Sequence, residues 1–399
     1  MRLKTFVRKK LDNLLDRYGY KMVRKYQLEP RMVDYQMLLE TTEWPLDEEA
    51  MRLHEASDEP LTLNWIIPLL GRGSGGHMTI FRTIRLLSEQ GIKHRIYMCW
   101  DDSTDYPSEE LRRMVLDYYG YDLGDNEIYW DHRKMGYADG VVATSWQSAY
   151  VARRFHNCKE HFYFVQDFEP WFYSKGSLYA LSENTYHFGF KGITAGLFLS
   201  EKLKRDYGMD SFGFRFSYDR KLYHYSEKKD DKKRIFFYAR PYTARREFEI
   251  GVLALTMLYK KHPDLEVLMA GQKVSDFPFD FPVRDMGIMA PDQMSDLYSQ
   301  SDLCLVLSAT NLSLLPLEVM ASGSVVVSDK GEHNEWELND KNAVLCDADP
   351  WDLCEKMDYY LTHRDELNAL RDSGRSYAES LTWEDEMVKL AEYIKGSIQ

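Results

Sequence analysis

A chain of 399 residues is long for a single hydrophobic core, so two domains are the expectation. With 44% apolar and 29% charged residues it reads as soluble and globular, and a net charge of −13 argues against nucleic acid as partner, because phosphate neutralisation needs an extended basic face. The five cysteines, Cys99, Cys158, Cys304, Cys346 and Cys354, contain no C-x-x-C pair and cannot all pair within the chain, which suits buried thiols in a reduced, cytoplasmic setting. No apolar run approaches the roughly 18 residues that span a bilayer, and the first residues lack a signal peptide's apolar region.

Residues 1–28 depart from the acidic average. Leu3, Phe6, Val7, Leu11, Leu14 and Leu15 recur at helical spacing among many Lys and Arg, predicting a basic amphipathic helix. It either packs on its own domain or attaches peripherally to anionic lipid at the inner face of the membrane.

After a polar stretch, "LTLNWIIPLL" reads as a buried strand, "GRGSGGH" as a loop, "MTIFRTIRLLSEQ" as a helix and "HRIYMCW" as a second strand. Further strands are expected in "GVVATSW", "HFYFVQDF" and "GITAG", with a helix in "LFLSEKLKRDYG". The charged segment "YSEKKDDKKR" reads as a linker or surface turn. The pattern then restarts: strand "IFFYAR", helix "REFEIGVLALTMLYKKH", strand "LEVLMAG", helix "MSDLYSQS", strand "LCLVLS", a helix around "LPLEVMASG" and strand "VVVSD". Strands alternating with helices imply two α/β units with parallel sheets, and ligands of such sheets bind beyond the strands' carboxyl ends.

Gly71, Gly73 and Gly76 satisfy G-x-G-x-x-G between a strand and a helix, a place where backbone N–H groups can meet an anion and Ser74 could add a hydroxyl donor. On this loop alone an NAD(P)-dependent oxidoreductase is an alternative, with Asp101 and Asp102 placed to hold a ribose; a ligand-free tight turn is another. In "YARPYTARREF", Arg240 follows a strand and Arg245 and Arg246 open a helix, an arrangement suited to a diphosphate. Surface pairing of these arginines with Glu247 and Glu249 is the competing reading. Asp347 and Asp349 mimic a metal-binding D-x-D, but Asp349 before Pro350 reads as a helix cap, so no metal site and no cofactor are expected.

From Gly75 onwards the chain resembles the retaining glycosyltransferases of the GT-B fold. The landmarks come in order: "SGGH", "DGVVATSWQSA", "VQDFEP", "FSYDRKLYHY", "YARPYTARRE", "DMGIMAPDQMSDLYSQSDLCLVLS" and "LPLEVMASGSVVVSDKGEHNEW". The segment "YFVQDFEPWFYSKGSLYALSENTY" is most similar to bacterial rhamnosyltransferases that build surface polysaccharides and S-layer glycans from dTDP-β-L-rhamnose.

With the basic N-terminal helical extension taken as 1–45, the resemblance implies a Rossmann-like acceptor-side domain over 46–225, joined by a C-terminal helix at 383–399. A Rossmann-like nucleotide-sugar domain over 226–382 faces it across a cleft. It further implies metal-free transfer of a sugar, here expected to go to a glycan acceptor that the basic N-terminal helix would meet as a lipid-linked one. Gly75 and Gly76 would lie against the donor diphosphate, Arg240 and Arg245 would neutralise it as it leaves, and Ser313, Leu314 and Leu315 would approach it by their backbone. Glu318 would accept from a nucleotide sugar hydroxyl. Two positions depart from the family pattern. Thr310 stands where relatives keep a second acid, which fits a deoxy sugar, and Gln166 stands where a His is usual. Gln cannot exchange protons near pH 7, which leaves the leaving phosphate or Asp167 for proton transfer. A non-catalytic sugar-binding subunit is the remaining alternative.

Overall fold

The computed structural model describes Leu38, residues 42–99 and residues 106–398. The basic helix expected over 1–28 and the acids Asp101 and Asp102 lie outside these residues.

A first sheet of seven parallel strands runs β3-β2-β1-β4-β5-β6-β7. Its strands are β1 (Thr62–Ile67), β2 (Lys93–Met98), β3 (Glu127–Tyr129), β4 (Ala138–Ala143), β5 (Cys158–Val165), β6 (Lys191–Ala195) and β7 (Ser211–Phe214). A second parallel sheet runs β10-β9-β8-β11-β12-β13. It comprises β8 (Arg234–Ala239), β9 (Glu266–Gly271), β10 (Val283–Gly287), β11 (Leu303–Leu305), β12 (Val325–Asp329) and β13 (Ala343–Cys346). Helices cover the sheet faces, so central strands such as β1, β4 and β12 are buried along their whole length. That is why they stand out in the sequence as unbroken apolar runs.

The outer strands were not legible in the sequence. β3, β7, β10 and β13 have 3, 4, 5 and 4 residues, too short for a periodic signal. Several strand boundaries also move, β1 ending at Ile67 and β5 at Val165. β4 stops at Ala143, because Ser145 and Ser148 form a reciprocal cap that starts a helix at Trp146, and β11 stops at Leu305.

The last helix, Trp383–Ile398, packs against the first sheet's side of the molecule. Trp383, Met387, Leu390, Ala391 and Ile394 are buried. Lys395 Nζ donates to the Gln90 carbonyl at 2.9 Å, and Glu386 Oε2 accepts from the Arg215 N–H at 2.8 Å.

In both sheets the strand order reverses beside the first strand: β1 lies between β2 and β4, and β8 between β9 and β11. Connections that leave neighbouring strands in opposite directions open a crevice at their carboxyl ends. Two such crevices face each other here.

Candidate active site

The cleft between the sheets has a volume of about 650 Å³, the size of a small-ligand site. Gly73–Gly76, Thr144, Gln166 and Asp167 line one wall; Arg240, Arg245, Arg246, Asn311, Ser313–Leu315 and Glu318 line the other. Nearly all the residues singled out in the sequence therefore come together.

On the first wall the helix Gly75–Glu89 begins at the cleft. Gly73 adopts φ 72°, the left-handed conformation that glycine tolerates. A Cβ on Gly75 would meet nothing within 4 Å, whereas one on Gly76 would sit 3.3 Å from Gln166 Nε2. Gly75 thus fronts open space and Gly76 makes room for the glutamine. Ser74 is not a free donor for an anion. Its Oγ caps the helix at the His77 N–H and shares a 2.8 Å hydrogen bond with His77 Nδ1.

Asp167 joins the two walls. Its Oδ1 accepts from the backbone N–H groups of Phe168 and Asn311, at 2.8 and 3.1 Å. Its Oδ2 accepts from Thr310 Oγ1 at 2.9 Å and lies 3.7 Å from Arg245 Nε. Burial pushes the carboxyl's pKa up; the Asn311 N–H, Arg245 and Thr310 pull it back only in part. Asn311 adds a second tie, its Nδ2 donating to the carbonyls of Gln166 at 3.0 Å and Ala195 at 2.6 Å. Thr310, the position where relatives keep a second acid, is buried and its hydroxyl donates to Asp167.

The second wall carries the charge. Arg240 Nη1 donates to Tyr238 Oη at 3.1 Å, and its Nε has no hydrogen-bond partner among the described residues. Arg245 lies over the Phe172 ring at 4.4 Å. Arg246 Nη1 donates to Ser308 Oγ at 2.8 Å. Burial lowers the Arg246 pKa, Arg245 and Arg240 repel it, and Asp167 is the carboxylate acting on it. Surface pairing with Glu247 and Glu249 is not what these arginines do. Three guanidinium groups line this wall, and among the described residues only Arg245 of the three comes within ion-pair distance of a carboxylate, the already hydrogen-bonded Asp167; that imbalance suits a dianionic ligand.

Glu318 faces the cleft from the helix Leu315–Ala321. Burial pushes its pKa up to about 7, against partial relief from the Tyr223 hydroxyl and from Arg82. Glu169, which the sequence reading passed over, also lines the cleft, with burial again raising its pKa to about 7. Its oxygens accept from the Trp146 N–H and Tyr163 Oη, both at 2.9 Å, so it braces the first wall. Its place directly after "VQDF" was the available signal. Elsewhere, Asp349 caps the helix Pro350–Thr362, accepting from the Trp351 and Asp352 N–H groups.

Residues 233–358 match the family model described as the C-terminal domain of WsaF. The chain is 32% identical over 302 residues to the O-antigen biosynthesis protein RfbC of Myxococcus xanthus, a stretch covering 72% of this chain and 23% of that protein. The chain thus spans about a quarter of the curated relative it matches. Among solved structures, sucrose-phosphate synthase from Thermosynechococcus elongatus superposes with a TM-score of 0.63 at 13% identity, over 84% of this chain and 98% of that one. HepE of Anabaena, in complex with UDP and glucose, superposes with a TM-score of 0.61 at 12% identity, over 85% and 99%. These likenesses establish the architecture: two Rossmann-like domains in the GT-B arrangement. Among the described residues no helix is long and apolar enough to cross a membrane.

Proposed function

We propose that the chain is a retaining glycosyltransferase that moves a sugar, L-rhamnose from dTDP-β-L-rhamnose, onto a growing cell-surface polysaccharide. The observation that carries this reading is the clustering of Arg240, Arg245 and Arg246 in the cleft at the carboxyl end of a parallel sheet, with Asp167 lying 3.7 Å from Arg245. The RfbC relative's name places that protein in O-antigen biosynthesis, and the HepE structure holds UDP, which supports the donor class.

In the reaction the acceptor oxygen forms a bond to the sugar's anomeric carbon while the bond from that carbon to the diphosphate oxygen breaks. Negative charge grows on the departing diphosphate. Arg240 and Arg245, already oriented, stabilise it as it forms, and the reading calls on no metal ion. Gln166 can hold a sugar hydroxyl but not exchange its proton. The acceptor's proton passes to the departing phosphate oxygen on the same face, consistent with retention, while Asp167 is held by Thr310 and Asn311.

A thermal-shift series with dTDP, UDP, GDP and NAD tests the reading: dTDP raises Tm most, by mass action on the native state. Stabilisation by NAD alone would sink it in favour of an oxidoreductase. Peripheral membrane contact through residues 1–28 belongs to the same proposal. A chain beginning near Pro45 should then lose liposome flotation while keeping activity on a soluble acceptor, and continued flotation counts against it.

A further inference from the structure

Arg82 has no task in the reaction above. It lies in the helix Gly75–Glu89, is only 6% exposed, and lines the cleft. Two contacts fix it. Its Nε donates to Tyr121 Oη at 3.0 Å, and its guanidinium carbon sits 4.8 Å from the centre of the Trp383 ring. Its Nη1 is buried without a hydrogen-bond partner among the described residues, and no described carboxylate lies within ion-pair distance of it. A guanidinium taken out of water with a donor unanswered is costly unless a ligand supplies an acceptor.

Glu318 stands on the opposite wall. It feels the Arg82 charge without forming an ion pair with it, and the Tyr223 hydroxyl hydrogen-bonds its carboxyl. The cleft thus offers a cationic donor from the first domain and an acceptor from the second. A phosphate oxygen can take the first but is repelled by the second. A hydroxyl satisfies both, because it accepts through its oxygen and donates through its proton.

We infer that Arg82 and Glu318 together recognise the furanose ring of the nucleotide, Arg82 Nη1 donating to the hydroxyl oxygen whose proton goes to Glu318. This rests on the nucleotide-sugar reading of the cleft. It makes Arg82 a specificity residue for the nucleoside half of the donor, separate from the arginines that take the diphosphate. One sugar hydroxyl then ties the two walls together.

Calorimetric titration of the full chain with dTDP, UDP and inorganic pyrophosphate tests this in the wild type, Arg82→Met and Arg82→Lys. Arg82→Met should weaken both nucleotides roughly 10- to 100-fold, the scale of one lost charge-assisted hydrogen bond, and leave pyrophosphate within about twofold. Arg82→Lys keeps the charge without the fork and gives an intermediate loss for nucleotides only; it carries the test if the Met variant does not fold. Equal weakening of nucleotides and pyrophosphate, or no weakening of either, overturns the inference while leaving the nucleotide-sugar reading intact. A wild type that binds pyrophosphate but neither nucleotide overturns both.

Discussion

The same two strands, β8 and β11, carry a cluster of cations at each end, and the two clusters differ in how fully their charge is answered. At the amino ends Asp302 Oδ2 accepts from Lys228 Nζ at 2.6 Å and the Arg234 N–H at 2.9 Å, while Oδ1 lies 2.9 Å from Arg364 Nη2. Arg234 has further partners in Glu266 at 2.8 Å and Asp230 at 3.1 Å. At the carboxyl ends Arg240, Arg245 and Arg246 lie together, and among the described residues only Arg245 of the three comes within ion-pair distance of a carboxylate, 3.7 Å from Asp167. Matched charge fastens the second domain together. Unmatched charge, at the end of the sheet where a crevice opens, suits an anionic ligand.

Removing the anion from the matched cluster should give the largest effect. Asp302→Ala leaves Lys228 and Arg364 without their shared buried partner, and a broken buried pair costs about 3–5 kcal/mol. Denaturant unfolding should show that loss, with the activity of the remaining folded protein unchanged. A stability loss below ~1 kcal/mol would erase the contrast between the clusters.

Arg240→Ala strikes the unmatched cluster and should do the reverse. Turnover falls by about 3 kcal/mol of transition-state stabilisation, roughly 100-fold or more, with Tm held within a degree or two. Full turnover would mean that the unpaired charge serves nothing in the chemistry.

The smallest effect concerns pH. Glu318 binds its proton more tightly in the folded chain, at about 7, than at its ordinary 4.5. The folded state therefore holds more proton than the unfolded state between those values, and the ligand-free protein loses stability as pH rises from about 4.5 to 7. On the proposed role of the ionised Glu318 as acceptor, nucleotide binding should strengthen across the upper part of the same window. Glu318→Gln should flatten the stability slope by at most ~1.4 kcal/mol per pH unit and remove that part of the pH dependence of binding. Glu169, Glu247 and Glu337, also raised to about 7 by burial, keep the rest of the slope. An unchanged slope would place the Glu318 proton elsewhere.

Much of this was written locally in the chain. The buried central strands announce themselves as apolar runs, "GRGSGG" marks a strand-to-helix turn, "YARPYTARRE" sets arginines just past β8, and Asp349 before Pro350 specifies a cap. Each depends on neighbours within a turn or a strand, where side-chain periodicity and backbone chemistry act directly. Tertiary structure alone decided who faces whom across the cleft. Asp167 meets Thr310 and Asn311 from positions 143 and 144 residues away, and Arg82 comes to look across at Glu318. No periodicity encodes such meetings, because they follow from how the two sheets are packed. The charge left unanswered there depends on every residue that the packing brings near.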